Sequence, residues 1–452
     1  MANLSGEARL NAYDTNQIVS YNEKTKEPYI DYYKMIQYNM AHPDTPLMPY
    51  AVVKSLSSDD LLPYRKGDEK PVEITFVNPY LDYLWENRDT VDQNQHPVIN
   101  AHKYLTSCPS FHFRSTKNNF NVQGTSSQGY PRRNFKLKTK LGSNVETDYW
   151  VYTNGPLQGA NISEKITYND IKYKNWYMDS DLPANKFCWK ADYMESSGSY
   201  NTGFANFASI LYEHHPLYNI FKDSTYDKYR TSVYGFPMLV FQEKQEKADD
   251  GKTQYEFVGK YNFNLDKSSN SRYGFELEEE QPYLEGHPLI ADIAECWEFT
   301  NNQGTYCAFR TPWPNENASF APIASDSFEY RYNADEDGLD SIKFTGIEAD
   351  DRNPVASDGL KKPVREYFKN FKVLYDWLYN VGKIESSEDR KRAFKEGFEK
   401  HLNKEYCFIY FILTELLHCY DSRGKNLMMA TWGPEEENGE YIWYPIFYDV
   451  DT

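Results

Sequence analysis

The chain has 452 residues and carries 49 basic against 67 acidic side chains, which gives a net charge of −18. Binding to phosphate groups needs a basic surface, so this balance argues against a nucleic-acid partner and against docking on anionic lipid. Hydrophobic residues make up 40% of the chain, with 40 Tyr, 26 Phe and 9 Trp, which predicts a globular protein with an aromatic core. The length fits two to three domains, or one large α+β domain with an extension.

Residues 1–100 are predicted to form an N-terminal docking segment. Prolines recur every few residues up to about residue 80, at Pro46, Pro49, Pro63, Pro71 and Pro79. Proline lacks a backbone N–H and breaks helices, so this spacing favours an extended arm over long helices. An irregular β-rich lobe explains the same pattern equally well.

From about residue 100 the pattern changes to short strands. Residues 110–114 and 135–139 alternate apolar and polar side chains, which is the period of two of a half-buried antiparallel sheet. Residues 235–241 and 256–263 are two further strands around an acidic, glycine-containing loop, and this layout predicts a hairpin.

Helical spacing becomes frequent later in the chain. Residues 203–222 carry apolar side chains three and four positions apart, and residues 364–381 do so again on one face. Two more helices are predicted, one capped by Ser387 and one over residues 405–417, which is apolar nearly all round and therefore predicted to be buried. The order of elements predicts an α+β fold, with an antiparallel β-rich lobe followed by a helical lobe, over residues 101–452.

No segment of the sequence is long and apolar enough to span a membrane. The most apolar run, residues 408–417, is about half of the roughly twenty residues required. The N-terminus lacks the basic and apolar regions of a secretory signal. The six cysteines include no Cys-x-x-Cys pair, which predicts free, mostly buried thiols in a protein made in a reducing compartment.

The sharpest chemical motif follows the last predicted helix. Asp421 and Asn426 stand five residues apart in a short loop, and residues 444–451 form an aromatic strand that ends in Asp449 and Asp451. This is the layout of phosphotransferase sites, in which the first Asp orients the nucleophile while the Asn and a later Asp hold Mg²⁺ under nucleotide phosphates. Asx-turn chemistry alone also explains Asp421 and Asn426.

A second motif is the turn-rich loop between Gly124 and Gly129 together with the basic strand after it. Arg132, Lys136 and Lys138 follow the loop. Backbone N–H groups and cations of this kind bind phosphates. The alternative is a hairpin turn followed by an exposed basic strand, whose charges discourage pairing with other sheet edges.

Two pairs of ionisable residues carry weaker signals. His214 and His215 have no partner at metal-ligand spacing, and adjacent helical residues face different ways. Glu415 and His418 share one helical face without a further carboxylate or histidine in pattern, so they are predicted to form hydrogen bonds in the core.

Together these segments resemble the CotH family of atypical kinases. Tyr-Asp-Ser-Arg-Gly-Lys-Asn at 420–426 and Tyr-Pro-Ile-Phe-Tyr-Asp-Val-Asp at 444–451 are similar to the family's catalytic and metal loops. Three earlier segments follow the family's order: 122–138, 186–202 and 258–267. The resemblance covers about residues 110–452, and it departs from the family's usual Trp-Asp-x-Asp ending, because a tyrosine stands before Asp449.

The resemblance implies a CotH kinase-like fold and a set of site residues. The implied roles are phosphate-binding cation (Lys136 or Lys138), catalytic Asp (Asp421) and metal ligands (Asn426 with Asp449 or Asp451). An active site of this kind would use Mg²⁺ and ATP to phosphorylate Ser or Tyr of a partner protein.

The Tyr- and Asn-rich composition also resembles large tail proteins of crAss-like phages of gut bacteria, in which a CotH-like domain occurs in a tail muzzle or knob. This likeness implies a structural component of the virion tail, assembled in the host cytoplasm as a homo-oligomer with other tail proteins and without a cofactor. The structural role is the favoured hypothesis, and an active CotH-type kinase is the alternative. A carbohydrate-binding module is a third hypothesis, because Tyr and Trp faces suit sugars.

The end of the sequence suggests that the chain is the N-terminal part of a larger polypeptide. The implied metal loop occupies the last residues, so nothing follows to pack over it. Residues 441–450 carry five aromatic side chains, too many to leave in water. We therefore expect their cover to come from further chain or from another subunit.

Overall fold

The computed structural model describes residues 19–21, 24, 28–30, 49–86, 88–89, 108–124, 126–139, 141, 147–160, 166–168, 171–173, 184–193, 198, 200–221, 229–267, 270–274, 295–299, 319–322, 330–333, 342–344, 369–419, 422, 427–435 and 439–448. The chain divides into two compact units. One lies within Met1–Tyr193 and Phe236–Asn264, and the other within Met194–Gly235 and Leu265–Thr452. The division predicted from sequence, 1–100 and 101–452, stays a prediction.

The first unit is mainly β-structure. Its elements, in chain order, are β1 (Val19–Tyr21), β2 (Pro28–Ile30), β3 (Tyr50–Ser55), β4 (Glu69–Val77), α1 (Pro79–Glu86), β5 (Phe111–Gln123), a 3₁₀ turn (Ser126–Gly129), β6 (Asn134–Lys138), β7 (Tyr149–Tyr152), β8 (Ile166–Tyr168), β9 (Ile171–Tyr173), β10 (Lys186–Lys190), β11 (Gly235–Lys247) and β12 (Thr253–Leu265).

Eight of these strands form one sheet that closes on itself. The strand order is β4-β3-β11-β12-β10-β6-β5-β7, and β4 also pairs with β5. The predicted hairpin of β11 and β12 is confirmed as two neighbouring strands joined by a short connection. The pair β3–β11 is parallel, with Leu239 aligned with Tyr50. Strands β3 and β4 come from the stretch predicted as a docking segment, and they complete this barrel-like sheet.

The interior of the closed sheet is aromatic. Alternate residues of β5 point inward, and Phe111 stacks on Trp150 of β7 with ring centroids 4.6 Å apart. Phe111 also stacks on Phe76 of β4 at 5.3 Å, and Phe76 meets Phe263 of β12 edge-on at 5.7 Å. Such offset and edge-to-face pairs add to the free energy gained from burying each ring. The predicted aromatic core is therefore confirmed in this unit.

The second unit combines helices with a separate sheet. Its elements are α2 (Tyr200–Leu211), α3 (Pro216–Phe221), α4 (Asn270–Tyr273), β13 (Glu295–Phe299), β14 (Ser319–Pro322), β15 (Tyr330–Asn333), β16 (Ile342–Phe344), α5 (Lys369–Gly382), α6 (Ser387–His401), α7 (Lys404–Leu416), β17 (Met428–Thr431) and β18 (Tyr444–Ile446). The six strands form one antiparallel sheet in the order β16-β15-β14-β13-β17-β18. The protein is thus α+β, as predicted.

The bounds of the helices differ from prediction at positions set by a proline and by capping side chains. The single helix predicted over 203–222 is two helices, α2 and α3, because Pro216 has no N–H for a continuing helix and begins α3 instead. The cap of α6 is Ser386 rather than Ser387, and its Oγ accepts a hydrogen bond from the Asp389 backbone N–H at 3.3 Å. Asn403 caps α7 in the same way through Tyr406.

Two predictions about burial are wrong. The helix predicted over 405–417 is not buried all round, because α7 exposes Phe408, Phe411, Ile412 and Leu416. The aromatic strand near the end of the sequence does not lack cover, since Trp443, Tyr444, Phe447 and Tyr448 are buried within the chain itself. Part of that cover is α7, whose Tyr410 lies 4.7 Å from the Phe447 ring.

Among the helices that the structure describes, none combines the length and the apolar character that crossing a membrane requires. The five cysteines in the described ranges are free thiols; four are buried and Cys407 is half-buried. The thiol of Cys407 is itself shielded from water, and this desolvation raises its pKa to about 12, so it stays protonated and unreactive near neutral pH.

The contact between α5 and α6 predicts a sharp difference between two glycines. A Cβ on Gly397 of α6 would lie 2.7 Å from Cε2 of Trp377 on α5, whereas a Cβ on Gly203 of α2 would meet nothing within 4 Å. Gly397→Ala should therefore lower the free energy of unfolding by about 1–3 kcal/mol through overpacking. Gly203→Ala, at an exposed helical position, should raise it by about 0.5–1 kcal/mol. Urea denaturation of both variants checks this, and equal effects would contradict the packing.

Candidate functional site

Four of the predicted site residues lie outside the described residues. These are the acidic and amide groups of the implied catalytic and metal loops: Asp421, Asn426, Asp449 and Asp451. Their roles stay predictions. Within the part of the chain that the structure describes, no group of three or more His, Cys, Asp or Glu side chains lies close enough to hold a metal ion.

The turn-rich loop that precedes β6 is held in place by its own side chains and by a neighbouring loop. Gly124 has a φ of 98°, a left-handed conformation that favours glycine, and a Cβ there would collide with Ser127 Oγ. The Gln128 side chain donates to the Gly124 carbonyl at 2.8 Å and accepts from the Lys66 backbone N–H at 2.9 Å. These contacts hold the turn in one conformation and attach it to the loop that contains Lys66.

Arg132, predicted to bind phosphate, is used in packing. Its Nη1 donates to the Lys260 carbonyl at 3.1 Å, and its guanidinium lies 5.7 Å from the Tyr193 ring centroid. Gly259 makes room for it, since a Cβ on Gly259 would lie 2.9 Å from Arg132 Cδ. The arginine therefore ties the loop to β12.

Arg133 has a similar role on the other side of the loop. Its Nε donates to the Tyr64 carbonyl at 3.3 Å, and its guanidinium lies 4.4 Å above the Tyr64 ring. The two arginines after the loop therefore hold neighbouring segments together. Their role in packing, through hydrogen bonds to carbonyls and contacts with tyrosine rings, was not predicted from the sequence.

The two predicted lysines lie on the face of β6 that points away from the aromatic interior. Phe135 and Leu137 are buried, whereas Lys136 is half-buried and Lys138 is exposed. In the register with β10, Lys138 is aligned with Lys186. Two like charges therefore lie opposite each other at this end of β6.

A row of buried polar residues on the first unit was missed by sequence reasoning. Asn262 and Asn264 alternate with the inward-facing Phe263 on β12, and both are buried. Asn262 Nδ2 donates to Asp192 Oδ2 at 2.5 Å, while the buried Oδ1 of Asn264 has no hydrogen-bond partner among the described residues. Lys190, at the end of the neighbouring strand β10, is buried as well. The alternating Tyr-Asn-Phe-Asn order at 261–264 was the signal for this polar face.

His215 is a core residue rather than a ligand. It is buried, its Nδ1 accepts a hydrogen bond from the Leu217 backbone N–H at 3.1 Å, and its ring meets Trp432 edge-on at 4.6 Å. Desolvation lowers the pKa of His215 to about 3, so the ring is neutral at physiological pH. The accepted hydrogen bond places the ring proton on Nε2.

The prediction that Glu415 and His418 form hydrogen bonds in the core is wrong in its placement, because both side chains are exposed. His418 lies just beyond the end of α7 and has a φ of 56°. The helix ends before it, so the two residues do not share a helical face.

No protein-family model matches this chain, and no curated protein sequence matches it. The likeness to CotH kinases and to phage tail proteins is therefore carried by the sequence motifs alone.

The burial of His215 predicts a specific pH dependence of stability. The folded state keeps the ring neutral down to a pKa of about 3, whereas in the unfolded chain it binds a proton below about pH 6.5. The contribution to stability is full above pH 6.5 and is lost as the pH falls toward 3, at up to about 1.4 kcal/mol per pH unit. His215→Asn, which keeps an acceptor for Leu217, should flatten this slope. Chemical denaturation at several pH values measures it, and unchanged slopes would refute the assignment.

Proposed function

We propose that this protein is a structural component of a bacteriophage tail end, muzzle- or knob-like, built on a CotH-like fold. In this proposal it works in the virion tail, after assembly in the host cytoplasm with further copies of itself and with other tail proteins. The observation that carries the proposal is an exposed apolar surface on the second unit, which we call the α2–α7 face. It is made of Phe207, Ile210, Leu211, Phe408, Phe411, Ile412 and Leu416.

The α7 half of this face has the spacing of a binding stripe. Phe408, Phe411 and Ile412 lie three and four positions apart, and Leu416 follows one turn later, so they point the same way from the helix. Phe411 is 54% exposed and Ile412 is 58% exposed. The opposite side of α7 packs into the unit through Tyr406, Tyr410 and other buried side chains. A helix that is apolar on both sides is typical of one that buries its second side in an assembly.

The α2 half lies beside it. Tyr212, directly after α2, stacks on Tyr406 of α7 with ring centroids 3.9 Å apart and nearly parallel planes. On the outer side of α2, Ile210 is 77% exposed and is flanked by Phe207 and Leu211. Two neighbouring helices therefore both present apolar side chains to solvent. Monomeric proteins rarely leave several large apolar groups together in water.

Charge supports an apolar mode of assembly. At −18, copies of this chain repel one another over a Debye length, so contacts between them need a surface whose attraction does not depend on charge. The seven side chains of the α2–α7 face are uncharged. Burying them would gain roughly 25 cal/mol for each Å² of apolar area removed from water.

The first test is self-association measured by sedimentation velocity. The protein should form oligomers at rising concentration, and association should strengthen from about 0.1 M to about 1 M salt because screening weakens the repulsion between copies. Phe411→Gln together with Ile412→Gln should shift the equilibrium to monomer. Glutamine keeps helix propensity and net charge, so the change removes apolar surface alone.

Leu61→Gln is the matched control, since Leu61 is also 58% exposed but belongs to the first unit. The control should associate as the wild type does. A wild-type protein that stays monomeric at all concentrations and salt levels would contradict self-assembly through this face. Association that the double change leaves intact would move the interface elsewhere.

The alternative, an active CotH-type kinase, is favoured by the alignment of two lysines, Lys138 and Lys186, at one end of β6 and β10. Against it, Arg132 and Arg133 already donate hydrogen bonds to backbone carbonyls in neighbouring segments. The two hypotheses differ in their prediction for nucleotide.

Under the structural proposal, calorimetry with ATP and Mg²⁺ should show no binding in the micromolar range, where the binding free energy would be about −8 kcal/mol. A micromolar affinity that is lost in Asp449→Ala with Asp451→Ala, and weakened in Lys138→Ala, would replace the structural proposal with the kinase. Lys247→Ala, at the exposed end of β11, serves as the control for loss of a surface lysine.

A further inference from the structure

The first unit contains an open cleft that the proposed function does not use. It has a volume of about 410 Å³, within the range of small-molecule sites in proteins. One wall is the end of α1 with the residues after it, and the other is the loop that follows β7. The α1 wall contributes Asp82, Trp85, Glu86 and Arg88, and the β7 wall contributes Thr153, Asn154 and Gln158.

The two walls are tied together by hydrogen bonds, so the cleft is preformed. Asp82 Oδ2 accepts from the Ser110 hydroxyl at 2.8 Å, and the Ser110 carbonyl accepts from the Thr153 backbone N–H at 3.1 Å. Asn154 spans the walls directly, since its Nδ2 donates to the Asp82 carbonyl at 3.4 Å. Its Oδ1 accepts from the Gly155 backbone N–H at 2.7 Å. A ligand that binds here does not have to order the walls first.

Three side chains of the cleft have no hydrogen bond to any part of the protein that the structure describes. They are the carboxylate of Glu86, the hydroxyl of Thr153 and the amide of Gln158. Between them they offer acceptors on Glu86 and both donors and acceptors on the other two. Glu86 belongs to the α1 wall, and Thr153 and Gln158 belong to the opposite wall.

An aromatic ring stands beside these polar groups. Trp85 is half-buried, and the Arg88 guanidinium lies 4.5 Å from its ring centroid while Arg88 Nη1 donates to the Trp85 carbonyl at 2.9 Å. The arginine therefore stiffens the end of α1. Because the guanidinium stands over the indole ring, the lining of the cleft is almost entirely polar, which suits a ligand rich in hydroxyl or amide groups.

We propose that this cleft binds a neutral carbohydrate. A sugar ring presents neighbouring hydroxyls, each both a donor and an acceptor, to carboxylate and amide groups such as those of Glu86 and Gln158. The exposed Glu86 carboxylate and the charge of −18 on the chain as a whole disfavour phosphorylated, sulfated and uronic-acid ligands. Lipids and flat apolar ligands are disfavoured by the polar lining.

The test uses saturation-transfer NMR followed by calorimetry with a defined panel. The neutral members are glucose, galactose, mannose, N-acetylglucosamine, cellobiose and N,N′-diacetylchitobiose, and the comparison members are glucuronate, sialic acid and tetralysine. At least one neutral sugar should give saturation transfer and should bind more tightly than the acidic sugars.

Glu86→Ala together with Gln158→Ala should weaken that sugar by at least about tenfold, as expected when hydrogen bonds that include a charged partner are lost. The side chains of Glu86 and Gln158 are exposed, so replacing them should not disturb the fold. An unchanged melting curve of the double variant verifies this. The matched control is Glu246→Ala with Gln254→Ala, which removes the same two side-chain types from exposed positions of β11 and β12 and should leave affinity unchanged.

Three results would overturn the proposal. They are the absence of saturation transfer to every neutral sugar, affinity that the Glu86 and Gln158 changes leave intact, and binding of tetralysine in place of sugars, which would make the cleft an acceptor of basic peptide. None of these depends on self-association, so the proposal stands or fails apart from the assembly role.

Discussion

The pairing of β4 with β5 is the constraint on which the first unit depends. It joins β4, at one end of the strand order, to β5, the last strand but one, and it closes the sheet around the rings of Phe76, Phe111 and Trp150. The register of this pair shifts between Lys70 and Val72, where Pro71 has no N–H for the ladder. The bulge lets a proline sit within a closed sheet. Without the pairing, neither the aromatic stacking nor the walls of the cleft beside α1 would have a fixed frame.

Local patterns in the sequence could predict a good part of these elements. Alternation at 110–114 and 135–139 corresponds to β5 and β6, and apolar spacing near 364–381 and 405–417 corresponds to α5 and α7. The role of β3 and β4 could not be read in this way, because their partners are set by strand pairings across the unit. Prolines at short intervals are compatible both with an extended arm and with strands that close a sheet, so their spacing does not distinguish the two.

The candidate site was harder to predict for a related reason. Arginine suits phosphate and also suits stacking on tyrosine, so the pattern around Arg132 and Arg133 could not distinguish binding from packing. The sequence of α7 is apolar nearly all round, and such a sequence fits both a fully buried helix and a helix with one exposed side. Only the packing of its neighbours shows that one side of α7 is exposed. The cleft between α1 and the loop after β7 has no sequence motif, since its two walls are far apart in the chain: Asp82 and Asn154, which are joined by a hydrogen bond, are 72 positions apart.

The parallel pair β3–β11 has a consequence for how the chain is made. Leu239 must find Tyr50, and the hairpin must then continue to the end of β12 at Leu265 before the sheet can close. Strand β4 can pair early with β3 and β5, whereas β3 waits for β11 on the order of ten seconds or more during synthesis at roughly 5–20 residues per second. Over that interval the free edge of β3 can pair with an extended segment of another nascent copy on the same message. The long separation of these two parallel strands therefore makes the unfinished chain more prone to aggregation than the folded protein.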